Sequence, residues 1–342
     1  MTEQTKRILV TGANGFVGSQ LCRHLLQCGY SVRAVVRRVP ALTLDDPQLE
    51  YAPVGDLLHY ADWPKLLRNT DAIVHLIART HITDEFGMAA MQEYRRTNVD
   101  LTRRLAKAAA REGVSRFVYM SSIKAVGNGS EETYCEQTKC QPEDSYGKSK
   151  LEAEQTLAET LRQEPQSGGC EFTVLRPPLV YGPQVQGNFL RLLQLVARGV
   201  PLPSVTNARS MVHVENLVQA TELCLRSPQA ANRTFHVADP EAISTSQLIQ
   251  SMAAGLERPC RLIPLPKFLL RGMGQVTGKA EEIKRLAGSL TVSTERITSE
   301  LNWQPKYTTR QGIVSTSRAY RVSPWDTKQK PERTATPTRR AA

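Results

Sequence analysis

The sequence predicts an α/β protein: a doubly wound parallel sheet with a smaller C-terminal lobe that caps the end of the sheet. Apolar runs alternate with amphipathic stretches through the first half, and after Pro178 proline and glycine break that alternation up. A glycine-spaced turn directly after the first apolar run then narrows the kind of sheet.

The predicted strands are RILVTG (7–12), YSVRAVV (30–36), DAIVHLIA (71–78), RFVYMSS (116–122) and EFTVLRPP (171–178), with a further strand ahead of GDL (55–57). Unbroken apolar runs of this length suit strands covered on both faces. MAAMQEYRRTNVDLTRRLAKAAAREG (88–113) is the clearest amphipathic helix, and a second begins near Tyr146 and runs to about residue 162. Past Pro178, GPQVQGN (182–188) and RGVPLPS (198–204) read as turns, HVENLVQATELCLRS (213–227) as a helix and RTFHVAD (233–239) as a strand. Residues 1–180, with 211–240 returning, form the expected dinucleotide domain. Segments 181–210 and 241–318 form the substrate lobe, and 319–342 a disordered basic tail.

Composition is that of a globular protein, 40% apolar and 23% charged. No apolar run reaches the roughly 18 residues of a membrane span, and the N-terminus moves straight into a strand with no secretion signal, so a cytoplasmic location is expected. Seven cysteines with scattered spacing read as reduced thiols. Cys135 and Cys140 lack the partners of a metal site. Residues 306–342 hold nine Lys/Arg against two Asp/Glu and so contribute +7 of the +11 net charge. No nucleic-acid motif accompanies that tail, so no specific nucleic-acid partner is expected.

VTGANGFVGSQLCRHLL (10–26) places Gly12, Gly15 and Gly18 between the first strand and the first helix. Glycine there permits a tight turn, close approach of backbone to a pyrophosphate, and close helix–sheet packing. The helix N-terminus offers unpaired N–H groups to the phosphates, with Asn14, Phe16 and Val17 lining the turn. The sheet is therefore expected to be Rossmann-type. Past the second strand, AVVRRVP carries Arg37 and Arg38 and no acid before Asp45. An acid there would accept from the ribose of NAD, whereas a guanidinium suits the 2′-phosphate, so NADP is expected. Asp56 and Leu57 follow the third strand, on the adenine side.

DSYGKSKLEAE (144–154) sets Tyr146 and Lys150 one helical turn apart. That spacing alone leaves open a catalytic pair or two ordinary helix residues. Taken with TGANGFVG, GDL, HLIA (75–78), TNVD (97–100), YMSSIKAVG (119–127), RPPLVYGP (176–183) and RSMVHVENL (209–217), it resembles the extended short-chain dehydrogenase/reductases that act on nucleotide sugars, over roughly residues 7–314. The resemblance implies that Tyr146, Lys150 and Ser122 form the catalytic set and that Asn98 supports it. It also implies that Leu76, Ala78 and Pro177 contact the cofactor, and that Asn188, Arg209 and Arg285 bind a UDP-sugar. Phe189 is read as core. A homodimer through helices 88–113 and 146–162 follows by analogy only.

The chemistry needs such a set. Hydride delivery to a ketone develops an alkoxide, which requires a positioned proton donor. An ordinary phenol is a poor participant at neutral pH, and a neighbouring ammonium favours phenolate. Ser122 orients the reacting oxygen, whereas Ser121, by strand alternation, faces the other way. A 4,6-dehydratase usually carries Asp-Glu after the catalytic hydroxyl residue, and Ile123-Lys124 stands there instead. The phrases SSIKAVG, RPPLVYGP, NFLRLL and RLAGSL most resemble enzymes of UDP-N-acetylated sugars in surface-polysaccharide synthesis. The expected reaction is NADPH reduction of a UDP-4-keto-6-deoxy-N-acetylhexosamine. A UDP-glucose or UDP-N-acetylglucosamine 4-epimerase with tightly bound NAD, and a non-catalytic dinucleotide sensor, stay open as alternatives.

Overall fold

The computed structural model describes residues 6–40, 44–80, 88–164, 169–264 and 288–325. Seven parallel strands form one sheet: β1 (Arg7–Thr11), β2 (Ser31–Val36), β3 (Leu49–Pro53), β4 (Ala72–His75), β5 (Arg116–Met120), β6 (Glu171–Arg176) and, after three short strands, β10 (Arg233–His236). Their spatial order is β10-β6-β5-β4-β1-β2-β3. Chain direction across the sheet reverses between β1 and β4, and a crevice opens at the carboxyl ends of the strands at such a point.

Alternation along β1 explains the unbroken apolar run. Ile8 and Val10 pack with α1 (Phe16–Gln27) and α7 (Val214–Arg226), through Leu21, Leu25 and Leu217. Leu9 packs on the opposite face with α4 (Leu101–Arg111) and α5 (Ser145–Gln163), through Leu105 and Leu157. Both faces are covered, which is why Ile8, Leu9 and Val10 are all apolar.

The 88–113 stretch is helical but not one α-helix. A short α3 (Met88–Tyr94) runs into a π-helical turn, Arg95–Asp100, before α4. Asn98 in that turn is fully buried, and Thr102 donates to its carbonyl at 2.7 Å, so the inserted residue aims a polar side chain inward. Helical periodicity cannot register such an insertion.

The second core gathers Tyr181, Phe189, Leu193, Met211, Met252 and Ile313 from β7 (Leu179–Tyr181), α6 (Gly187–Ala197), β9 (Met211–His213), α8 (Thr245–Leu256) and α10 (Thr309–Val322). Short parallel pairs, β7 with β9 and β8 (Leu202–Ser204) with β11 (Leu262–Pro264), frame it. Asp239 pins it to the sheet. Its carboxylate accepts from the Tyr181 hydroxyl at 2.6 Å, the His213 amide at 2.9 Å and Asn216 Nδ2 at 2.7 Å. The expected disordered tail begins too early at residue 319. Helix α10 continues to Val322, and Trp325 stacks edge-on against Tyr320 while its Nε1 donates to the Val185 carbonyl at 2.9 Å. Residues 326–342 lie outside the described residues. No helix among the described residues is long and apolar enough to cross a membrane.

Among the described residues, three histidines are enclosed with an unbonded ring nitrogen: His75, His213 and His236. Burial lowers them to about 3, 4 and 3 respectively. Between those values and 6.5 the unfolded chain binds protons that the folded rings refuse, so stability present above pH 6.5 is lost as pH falls. Asp239, raised to about 6 by burial, acts oppositely and offsets part of the loss. At pH 5 the expected cost is about 2 kcal/mol per ring. Urea unfolding at pH 7.5 and pH 5 measures it, and equal midpoints would refute neutral burial of the rings.

Candidate active site

The phosphate-binding turn is built by glycine where glycine is required. Gly12 takes φ +70°, and its carbonyl accepts the Gly15 amide at 3.0 Å. Gly18 sits so close to the turn that a Cβ would overlap the Gly12 carbonyl oxygen and Ala13. Gly15 caps α1 with no side-chain acceptor, and no acidic residue stands in the first turn. The N–H groups of that turn therefore lack an internal partner, and the positive end of the helix faces the crevice beside exposed Asn14. Phe16 and Val17 are half-buried beneath. These residues fit a pyrophosphate. The neighbouring edge is rigid: buried Thr11 accepts the Leu76 amide at 3.1 Å and bonds His75 Nδ1 at 2.7 Å, and half-buried Leu76 and Ala78 continue from β4.

Past β2, Arg37 and Arg38 are both exposed and have no bonded partner among the described residues. Arg33, within β2 itself, is spent on structure, donating to Glu50, Leu66 O and Arg68 O. Asp56 is partly committed as well: it caps the turn 57–59 through the Leu58 amide at 3.1 Å and pairs with His59 at 3.3 Å, while Leu57 is buried. Pro177 is buried behind β6, and its carbonyl accepts the Ile123 amide at 3.0 Å.

At the carboxyl ends of β5 and β6 the structure brings Ser122, Tyr146 and Lys150 together. Asp144 caps α5 by accepting the Gly147 amide at 2.7 Å, and Lys124 holds that carboxylate at 2.6 Å. This clamp presents Tyr146 in the first helical turn, and its hydroxyl is hydrogen-bonded to Ser122. Ser121 points the other way and donates to buried Glu154. Alternation therefore separates the two serines as expected.

One electrostatic expectation needs correcting. The Lys150 ammonium is not paired with Tyr146. It is buried, donating to the Tyr119 hydroxyl at 2.8 Å and the Met120 carbonyl at 2.6 Å. Burial lowers Lys150 to about 7, opposed only by Glu154. Tyr146 is accordingly raised well above the usual phenol range, first by burial, against the Ser122 hydrogen bond, with Asp144 and Tyr94 pushing it further up. The phenol is thus neutral in this state. Sequence spacing supplied proximity but not the direction of the lysine side chain.

Asn98 does not touch Tyr146 or Lys150 through any bond in the structure. Its Oδ1 accepts the Arg79 amide at 2.8 Å, and Nδ2 donates to the Arg79 carbonyl at 3.2 Å and to Ser149 Oγ at 2.9 Å. It ties the segment after β4 to the helix turn carrying Lys150, which is a positioning arrangement. Asn188 is exposed in the first turn of α6, and Phe189 is core, stacked on Tyr181 at 5.2 Å. Arg209 is half-buried, bonded to the Gly288 carbonyl at 3.1 Å, and lowered by burial. Arg285 lies outside the described residues. Sequence reasoning missed Tyr119, Glu154 and Arg176. For Glu154 a signal existed, since K-x-x-x-E repeats the spacing of Y-x-x-x-K.

Residues 8–238 match the NAD dependent epimerase/dehydratase family. The chain is 37% identical to a UDP-glucose 4-epimerase of Vibrio cholerae over 327 residues, 92% of this chain and 95% of that one. It is 25% identical to an N-acetyl-alpha-D-glucosaminyl-diphospho-ditrans,octacis-undecaprenol 4-epimerase of Escherichia coli O157:H7, across 90% and 93% of the two chains. The solved structure of MoeE5 in complex with UDP-glucose and NAD superposes with a TM-score of 0.74 at 27% identity, covering 93% of this chain and 99% of MoeE5. With the glycine turn, the Ser122–Tyr146–Lys150 cluster and these likenesses together, the chain belongs to the NAD dependent epimerase/dehydratase family of extended short-chain dehydrogenase/reductases.

Proposed function

We propose that this enzyme reduces the C4 ketone of a UDP-4-keto-6-deoxy-N-acetylhexosamine with NADPH, in sugar-nucleotide synthesis for surface polysaccharide. Arg37 and Arg38 carry the reading: two exposed guanidinium groups, without partners among the described residues, follow β2, where an acid would favour NAD. When bound, the dinucleotide supplies the hydride. The turn Gly12–Gly18, with Asn14, Phe16 and Val17, holds the pyrophosphate; Asp56 and Leu57 border the adenine; Leu76, Ala78 and Pro177 line the remainder. Lys150 holds the nicotinamide ribose.

Tyr146 donates the proton that the developing alkoxide takes up, and Ser122 hydrogen-bonds the same oxygen. A phenol kept neutral by burial suits donation, whereas a reaction that begins by oxidising an alcohol needs phenolate first. Asn188 and Arg209 contribute to the UDP-sugar site, Arg209 toward the diphosphate. Lys124 occupies the place of a dehydratase carboxylate and is engaged with Asp144, which disfavours dehydration. The seven free cysteines suit a cytoplasmic location.

A second reading has its own support. The Vibrio cholerae relative is named a UDP-glucose 4-epimerase, and MoeE5 was solved with UDP-glucose and NAD. In that reading NAD stays bound while the same carbon is oxidised and re-reduced.

Denaturing the purified protein and identifying any released dinucleotide separates the two, followed by NADPH and UDP-4-keto-6-deoxy-N-acetylglucosamine added to native protein. No retained cofactor and stoichiometric NADPH oxidation support the reductase. Retained NAD with interconversion of UDP-sugar epimers supports the epimerase. The double substitution Arg37→Ala, Arg38→Ala is expected to raise the NADPH dissociation constant about 10- to 100-fold and leave that for NADH unchanged, one charged hydrogen bond to the 2′-phosphate being worth about 1.5–3 kcal/mol. Equal effects on both cofactors would remove the arginines from 2′-phosphate recognition.

A further inference from the structure

Lys150 is enclosed by groups that carry no formal negative charge. Its hydrogen-bond partners are the Tyr119 hydroxyl and the Met120 carbonyl, and Nζ lies 4.3 Å from the Tyr119 ring centroid. From β4, His75 stacks on Tyr119 as a neutral ring. From the π-helical turn comes Asn98, which is uncharged, and from α3 Tyr94, whose ring meets Tyr146. On the segment 123–125 packed against α5, Lys124 is neutralised by Asp144, and on the outer face of α5, Glu152 is taken by Arg95. Among the described residues, the remaining charged groups on this side are Glu154, one turn beyond Lys150 on α5, and Arg176 at the end of β6.

Glu154 is fixed from both strand ends. Arg176 grips it with Nε at 3.0 and 3.2 Å and Nη2 at 2.6 Å, and Ser121 donates to it from β5. Both partners of the ion pair are more than nine-tenths buried. Ion pairs of this kind stabilise less than their contacts suggest, because both ions lose their hydration. An apolar pair could fill the same space, so a role beyond packing is the better account of a carboxylate one turn from a buried lysine.

We propose that Glu154 is a positioning residue for Lys150: its carboxylate, clamped by Arg176 and Ser121, holds the buried lysine in its ammonium form beneath the catalytic tyrosine. The proposal rests on Lys150 belonging to the active site as argued above. Arg176 then keeps Glu154 anchored at a set distance rather than letting it swing into a direct pair with Lys150, which leaves the ammonium hydrogens on Tyr119 and Met120 free to exchange for other acceptors.

The test is an NMR titration of Lys150 in protein labelled with [13Cε]lysine, the resonance being assigned with Lys150→Met. Lys150 is expected to titrate near 7 in the wild type and about one pH unit lower in Glu154→Gln. Because Glu154→Gln leaves Arg176 buried without its counter-ion, itself a positive charge that would depress Lys150, the double variant Glu154→Gln, Arg176→Met is the second protein, with both charges removed and a smaller fall in the same direction expected. The pH profile of turnover should move with the titration, and Glu154→Asp should restore part of it. An unshifted Lys150 midpoint in either folded variant overturns the proposal. The titration needs no substrate, so a wild type that turns over no UDP-sugar refutes the functional reading alone.

Discussion

Tyr146→Phe is expected to lower turnover about 10²- to 10⁴-fold, the range for loss of a positioned proton donor, with dinucleotide binding unchanged. The substitution deletes one oxygen whose partner is Ser122, and leaves the ring against Tyr94 and the α5 cap from Asp144 intact. Fold and cofactor site should therefore survive, as circular dichroism and a fluorescence titration with NADPH would report. The readout separates function classes as well as mechanisms. A catalyst loses kcat, whereas a dinucleotide sensor loses nothing, so unchanged turnover would remove Tyr146 from the chemistry altogether.

Gly18→Ala is the second large effect. An added methyl must displace the Gly12 carbonyl and Ala13, which are backbone atoms of the turn itself. Overpacking of this kind costs about 1–3 kcal/mol in stability. Converted at about 1.4 kcal/mol per decade, a comparable distortion of the turn weakens dinucleotide binding about 5- to 150-fold. Gly15→Ala should be milder, since its added carbon would meet the Gly12 oxygen at 3.1 Å and its φ is −77°. Fluorescence titration of the two variants checks the order. Equal, unimpaired affinity in both would mean the turn does not hold the pyrophosphate.

Much of the site was legible because its parts are short and local. Gly12, Gly15 and Gly18 are read from one turn, and Tyr146 and Lys150 from one helix face. Alternation put Ser121 and Ser122 on opposite faces, the family resemblance favoured Ser122, and the structure sends Ser121 to Glu154. What failed to read was the partner of each group. Lys150 turned to Tyr119 and Met120 rather than to Tyr146, and Asn98 braces backbone at Arg79 instead of reaching the reacting centre. The start of the supposed tail was misplaced because Trp325 finds its acceptor at Val185, 140 residues earlier.

The sequence by itself determined the sheet, its glycine turn and the helix face that carries Tyr146 and Lys150. These depend on periodicity of two or 3.6 residues and on backbone conformations open only to glycine, both of which are local properties. Tertiary structure alone decided how those groups are charged. Tyr146 is held neutral and Lys150 is brought close to losing its proton because both sit where the ends of β5 and β6 meet α5, Lys150 fully buried and Tyr146 half-buried. Burial is set by which distant segments pack together, so Glu154, Arg176 and Tyr119 become neighbours of the site only when three elements meet.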